Sequence, residues 1–495
     1  MTEADIATGV LLEAHAEAPV DTAALGRLSR GKKIIYGLGE AAEGVKSAAL
    51  ETFLFFYFVQ VVGLSGSLTG LALLIALMFD GLVDPLIGNL SDNFHSRLGR
   101  RHPFLYAAPV PLALAVFALF APPAGLGQGG LFAWLLGFTV IARLMQSLYF
   151  VPHMALGAEL SSDFKDRLAI SGYRTVFSNV GRIVALGIAF SIFFRRSPGF
   201  PDGQLNPAAY PPFAITCGLI AAAVILVSAL GTQKRAIAVY DRIGEHHRAN
   251  GSGGFIANLF DAFRLRSFAV YFTAILVSYI LGGVQAALNI HLITYYWRLP
   301  AAGIQLVFFA NIFGFIAGTP LAHPLAARFD KKMAYVATVI LSVAMITLPI
   351  ALSLAGLYPS HDKLLLSICL AANGFVAGLI GGPAFVISGA MLADVADEYE
   401  LRFKARSEGF LFGASAFTRK ASLGVGGAIA GVSLDIIRFP RGVPPSAIPH
   451  EATIKLAILF GPAMLIFTII AMSIMWFYDL TRDRHAEILR RLGRQ

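Results

Sequence analysis

Twelve apolar stretches, each about 20 to 30 residues long, run along this 495-residue chain and restrict its fold more than any other property. A run that long and that apolar satisfies its backbone as a helix and takes lipid as its solvent. Boundaries drawn at charges and at Gly or Pro place helices near 37–62, 67–91, 103–122, 131–159, 168–194 and 212–231. Six more follow near 267–297, 302–325, 332–356, 364–394, 408–436 and 455–479. Charged residues are 14% of the chain, hydrophobic ones 56%, and mean hydropathy is +0.69. A soluble domain carries about 25% charge, so a water-soluble enzyme is excluded. The expected fold class is an all-α membrane protein with twelve transmembrane helices.

The polar interruptions predict the organisation: a cytoplasmic N-terminal tail over 1–35, a six-helix bundle over 36–231, a cytoplasmic loop over 232–266, a second six-helix bundle over 267–480 and a cytoplasmic tail over 481–495. The central loop holds a flexible Asn250–Gly254 stretch, and Phe255–Phe263 has apolar residues at helical spacing, as in a helix lying on a membrane surface. Most of the 39 lysines and arginines fall in loops on the side of the two termini, which predicts that both termini are cytoplasmic. The net charge of +9 thus reads as basic loops facing anionic lipid, not a nucleic-acid site. Basic turns at Asp92–Arg101 and at Arg328–Lys332 follow the second and eighth helices, an echo that suggests a duplicated six-helix unit. The N-terminus starts acidic and turns basic before the first apolar run, unlike a signal peptide.

A charge in an apolar helix costs about 2.5 to 3.5 kcal/mol to insert, so it faces a cavity, finds a partner or serves transport. In the second helix Asp80 and Asp84 are spaced i, i+4 on one face, with Pro85 beside them. Such a pair makes an oxygen-rich site for a small cation, or one that binds a proton because both cannot comfortably ionise together. Arg419 and Lys420 lie deep in the eleventh helix, where a lysine can neutralise Asp80 or Asp84 when no cation is bound. In the first helix Glu40, Glu43, Lys46 and Glu51 recur, with Glu43 and Lys46 spaced to pair. Arg143 and Arg182 need partners that their neighbours in the chain do not supply.

Single histidines at 153 and 291 read as satisfied core residues, and Cys217 and Cys369 as small core residues. Pro152 and Gly381–Pro383 read as helix interruptions of the kind that free backbone groups to line a pathway. No phosphate-binding glycine loop or His/Glu metal cluster stands out, so no ATP use and no cofactor is expected.

Tyr36–Gly39, Val61–Leu64, Phe79–Gly88, Val151–Leu160 with Tyr173 and Arg174, and Met391–Asp397 resemble motifs of the glycoside-pentoside-hexuronide:cation symporters, a major-facilitator branch that includes the melibiose permease. The resemblance spans roughly residues 34–480 and implies a 6+6 major-facilitator fold. It places Asp80 and Asp84 at the family's cation-site carboxylates, Lys420 at the lysine facing them, and Ser147 where a hydroxyl reaches sodium. Val83 replaces a side-chain oxygen ligand, which favours a proton over sodium; Asp80 and Asp84 would bind a metal only if sodium is the coupling ion. Gly44 and Phe150 stand where the permease has sugar-gripping carboxylates, and Met154 where it has a stacking tryptophan. Arg174 and an aromatic at Phe385 are kept, leaving Glu40 or Glu43 to grip a glycoside.

The expected activity is cation-coupled symport of a glycoside or related carbohydrate by alternating access, by a monomer in a bacterial inner membrane. An apolar pocket at Phe150 and Met154 would instead suit a lysophospholipid, since an animal lysolipid transporter is similar to this family. A membrane-embedded lipid-modifying enzyme is a rival from another class. It lacks support, because no nucleophile–base pair or metal spacing is present. A sensor that kept the transporter fold would bind solute without moving it.

Overall fold

The computed structural model describes residues 28–161, 163–243, 262–359, 362–404 and 408–494. The N-terminal tail before residue 28 and the 244–261 segment, with Arg248, the glycine stretch and most of Phe255–Phe263, lie outside the described residues. Among the described residues twelve long helices follow one another: α1 (Arg30–Val62), α2 (Gly66–Asp92), α3 (His102–Leu119), α4 (Gln128–Glu159), α5 (Lys165–Phe193), α6 (Pro207–Val239), α7 (Arg266–Tyr296), α8 (Ala301–Phe329), α9 (Lys331–Leu354), α10 (Lys363–Phe403), α11 (Glu408–Ile436) and α12 (His450–Phe477). A short amphipathic helix, α13 (Arg482–Arg491), follows. Of the twelve long helices, all but α11 are long and apolar enough to cross a membrane. Helix α11 carries Arg419 and Lys420, and it crosses the molecule packed between α2 and α7.

The helices α4 and α10 run unbroken through Pro152 and Pro383, so the two interruptions expected from sequence are absent.

Packing follows the two halves of the chain. In the first half, α1 packs on α5 and α6, α2 on α4, and α3 on α4 and α6. In the second, α7 packs on α11 and α12, α8 on α10, and α9 on α10 and α12. The halves meet chiefly through α2 against α11. There the backbones touch: a Cβ added at Gly66 would stand 2.5 Å from the Gly431 carbonyl oxygen, and one at Gly70 2.5 Å from Ala428 Cα.

Hydrogen bonds joining the halves cluster at the end of the bundle remote from residues 30 and 494. Asp435 on α11 accepts from the Gly66 and Ser67 backbone amides at 3.2 and 2.8 Å and from the Ser67 hydroxyl at 2.5 Å. Tyr295 donates to Gln60 at 3.0 Å, and Ser191 to Gln305 at 2.9 Å. The carboxylate of Asp435 thus caps the free amides of the α2 N-terminus from across the interface.

At the opposite end the ion pairs stay within each half and echo one another. Arg101 bridges Asp92 at 2.5 Å and Glu159 at 2.8 Å, and Arg100 joins Glu159 at 2.9 Å. Lys331 meets Asp394 at 2.6 Å. The C-terminal α13 is tied to α10 through Arg484–Glu398 at 2.5 Å and His485–Asp397 at 2.9 Å, with Arg494–Asp397 at 2.7 Å just beyond it.

Candidate functional site

Two charged clusters sit at mid-depth, and helix packing explains both. The first is built by α1 and α5, which cross so closely that a Cβ at Gly44 would lie 1.8 Å from the Ser178 carbonyl oxygen, and one at Gly181 2.2 Å from that of Ala41. That approach brings Arg174 onto Glu40, its Nε and Nη2 donating to the two carboxylate oxygens at 2.9 and 3.2 Å. It also explains the glycine at 44, because helix α5 fills the space that a side chain would need.

His153 of α4 lies fully buried beside this pair, its Nε2 3.9 Å from Glu40. Its ring stacks with Tyr36 at 4.3 Å and Tyr149 at 5.0 Å between centroids. Neither ring nitrogen has a hydrogen-bond partner. The expectation of a satisfied core histidine therefore fails: stacking on two tyrosines supplies its contacts and leaves its nitrogens bare. His291 differs, with one nitrogen on the Ala287 carbonyl at 3.2 Å and its ring against Phe55 and Phe56.

A cavity of about 230 Å³ opens against Glu40 and Arg174, lined also by Ser171, Thr175, Ser178, Asn179 and Phe385. The four small polar residues form one stripe of α5, since positions 171, 175, 178 and 179 share a helical face. Phe385 of α10 stands opposite, 57% exposed, so the cavity has one wall from each half of the chain. Hydroxyls, an amide, a guanidinium–carboxylate pair and an aromatic face suit a ligand bearing many hydroxyl groups. Glu43, Phe150 and Met154 are absent from this lining. Phe150 packs against the core, and Met154 is 41% exposed.

The second cluster centres on α2. Asp84 receives Lys420 Nζ at 2.6 Å, while Asp80 receives Arg143 Nη1 at 2.6 Å. Of the two carboxylates open to Lys420 from sequence, it therefore meets Asp84. Ser147 is buried one turn beyond Arg143 on α4. Glu43 accepts from Lys46 at 2.8 Å and Ser47 at 3.2 Å, and Gln146 also donates to it. Arg182 reaches Glu51 at 3.4 Å. Among the described residues no group of three His, Cys, Asp or Glu is placed to hold a metal ion.

Residues 35–482 match the sequence profile described as MFS/sugar transport protein. The chain belongs to that family. Within it lie a putative glycoside/cation symporter of Escherichia coli, 23% identical over 94% of this chain and 95% of that one, and an isoprimeverose transporter of Lactiplantibacillus pentosus, 23% identical over 81% and 79%. A sphingosine-1-phosphate transporter of Xenopus tropicalis is 24% identical over 93% and 90%. Among solved structures, the nucleoside transporter NupG superposes with a TM-score of 0.58 at 13% identity, covering 91% of this chain and 100% of that one, which establishes the shared fold. The MFS/sugar transport assignment accounts for the twelve helices and for the resemblance to glycoside-pentoside-hexuronide:cation symporters.

The α5 stripe escaped the reading by sequence. Its signal was available, as Ser171, Thr175, Ser178 and Asn179 are a polar face in a span whose other residues are largely apolar.

Proposed function

We propose that the protein is a cation-coupled symporter of a glycoside or related carbohydrate, working by alternating access, with a proton as the coupling ion. The observation that carries this reading is the cavity between the α5 hydroxyl stripe with Arg174 and Glu40 on one side and Phe385 on the other. Sugar hydroxyls pair with such side chains, and the apolar face of a pyranose rests on an aromatic ring. Because the two walls belong to different halves, a bound sugar would draw the halves together, which is the linkage alternating access requires.

Coupling is assigned to Asp84 and Lys420. The ammonium holds Asp84 Oδ2, while Asp84 Oδ1 is buried without a partner and is free to take a proton. Protonation would weaken the hold on Lys420 and so loosen the tie between α2 and α11. Asp80, Ser147 and Glu43 surround this exchange. One charge falling through about 150 mV supplies roughly 3.5 kcal/mol, enough for about 300-fold accumulation of a neutral solute. The related proteins are transporters, and the reading needs no catalysis. We place the protein as a monomer in a bacterial inner membrane, with both termini cytoplasmic and with a six-helix bundle on either side of the α6–α7 connection, which begins later than expected because α6 runs on to Val239.

A second reading, transport of a lysophospholipid or similar amphiphile, is favoured by the frog relative and by the exposure of Met154. Proteoliposomes separate the two. Under an inward proton gradient, concentrative uptake of radiolabelled glycosides supports symport of sugar. Movement of lysophosphatidylcholine or sphingosine-1-phosphate with no glycoside uptake replaces it with the amphiphile reading.

A further inference from the structure

We propose that Arg143 is a resident counterion that stands in for a metal cation at Asp80 and thereby makes transport indifferent to sodium. The inference rests on the cation-coupled reading above and assigns a specificity-determining role to a residue that reading does not use.

Asp80 is 5% exposed within the α2 span, and its Oδ2 is 2.6 Å from Arg143 Nη1. The guanidinium comes from α4, the helix that packs along α2 in the first half, on the face that also carries Ser147 one turn on. Asp84, one turn away, has its own cation in Lys420. Two carboxylates and two cations sum to no net charge, which is the least costly arrangement at that depth.

A sodium ion needs several oxygens converging on one point. Each carboxylate here has an oxygen directed at a fixed cation, and Val83 between them contributes no side-chain oxygen. A sodium ion in reach of both would lie beside two positive groups where the dielectric screens poorly. Lysine can release its carboxylate by losing charge or by swinging away on a flexible stem. Arginine keeps its charge at every physiological pH, so Asp80 remains permanently neutralised. Asp80 is then a structural counter-charge, and Asp84 alone exchanges its partner.

The test uses the full-length purified protein in lipid nanodiscs, with sodium chloride titrated against choline chloride at constant ionic strength and the unfolding midpoint as readout. Wild type is expected to show no sodium-specific shift. Arg143→Gln uncovers Asp80 and is expected to gain a saturable rise of a few degrees with sodium, which Asp80→Asn in the same background removes. A saturable sodium shift in wild type that Asp80→Asn abolishes overturns the proposal, and this comparison stands even if Arg143→Gln does not fold. A folded Arg143→Gln, or Arg143→Leu in its place, that stays flat at about 100-fold the sodium concentration typical of saturable sites also overturns it. Failure of the symport reading has a different signature: wild-type proteoliposomes would then show no proton-driven uptake, whatever sodium does to the midpoint.

Discussion

Asp80 and Asp84 stand one helical turn apart on α2, yet their counterions arrive from different directions, Arg143 from the first half of the chain and Lys420 from the second. One carboxylate is tied inside its own half. The other is tied across the interface, and a change of protonation there alters how the halves hold each other.

Removing either end of the cross-interface tie should uncouple transport. Asp84→Asn and Lys420→Ala are each expected to reduce the accumulation ratio from as much as about 300-fold to unity at about 150 mV. Exchange of labelled for unlabelled solute should persist. Accumulation retained by Asp84→Asn would remove this carboxylate from coupling.

The Glu40–Arg174 pair should be strongly interdependent. Either Glu40→Gln or Arg174→Ala leaves a largely buried charge without its partner, at a cost on the order of 3 kcal/mol. The double variant should recover part of that loss, giving a coupling of at least about 1 kcal/mol in a thermal or denaturant cycle. Strict additivity would mean that the two charges are screened from one another by water.

Placing a carboxylate at position 44 should break the fold. The Cβ of Gly44→Asp would meet the Ser178 carbonyl oxygen at 1.8 Å, so α1 and α5 would have to part. The expected result is loss of the monodisperse peak on size exclusion. Gly172→Ala, on the same α5 but with open space around it, should be unaffected.

Asp435→Ala removes the acceptor for three hydrogen bonds that seal α2 against α11. With Cys217 and Cys369 replaced by serine, a cysteine at the buried Gln60 position should react with a membrane-impermeant maleimide on the order of tenfold faster in the Asp435→Ala background. Equal rates would show that the seal does not depend on this carboxylate.

In the loop between α5 and α6, burial raises the Asp202 carboxyl above its ordinary value, with Arg298 and Arg196 opposing. A raised carboxyl favours the protonated folded form, so its contribution to stability is greatest in acid and is lost as pH rises through the folded value. Asp202→Asn should therefore be more stable than wild type at neutral pH, with the gap closing on acidification. A gap that widens in acid would contradict this sign.

Most helix ends were legible in the sequence to within a few residues, because apolar length is dictated by bilayer thickness, whereas α1 starts at Arg30, α6 runs to Val239 and α10 to Phe403, well into polar sequence that apolar length does not mark. The Asp80–Asp84 face was legible for the same local reason, as i, i+4 spacing decides it. Partners were not. Arg143 lies 63 residues from Asp80 and Arg174 lies 134 from Glu40, and only the packing of α2 on α4 and of α1 on α5 selects them. Nor could Pro383 reveal an unbroken helix, since a proline in a membrane helix is compatible with either outcome. The bare nitrogens of His153 were hidden likewise, for they depend on two tyrosine rings, one of them on another helix.

The contact of Gly66 with Gly431 bears on movement as well as on closeness. At this contact backbone meets backbone, whereas farther along the interface Phe417 fills the space over Gly81 and Leu77 that over Gly424, so α2 and α11 turn on one another most freely at the Gly66–Gly431 end. The bundle has, in effect, a greased bearing with two latches, the bonds of Asp435 at its end and the Asp84–Lys420 pair at mid-depth.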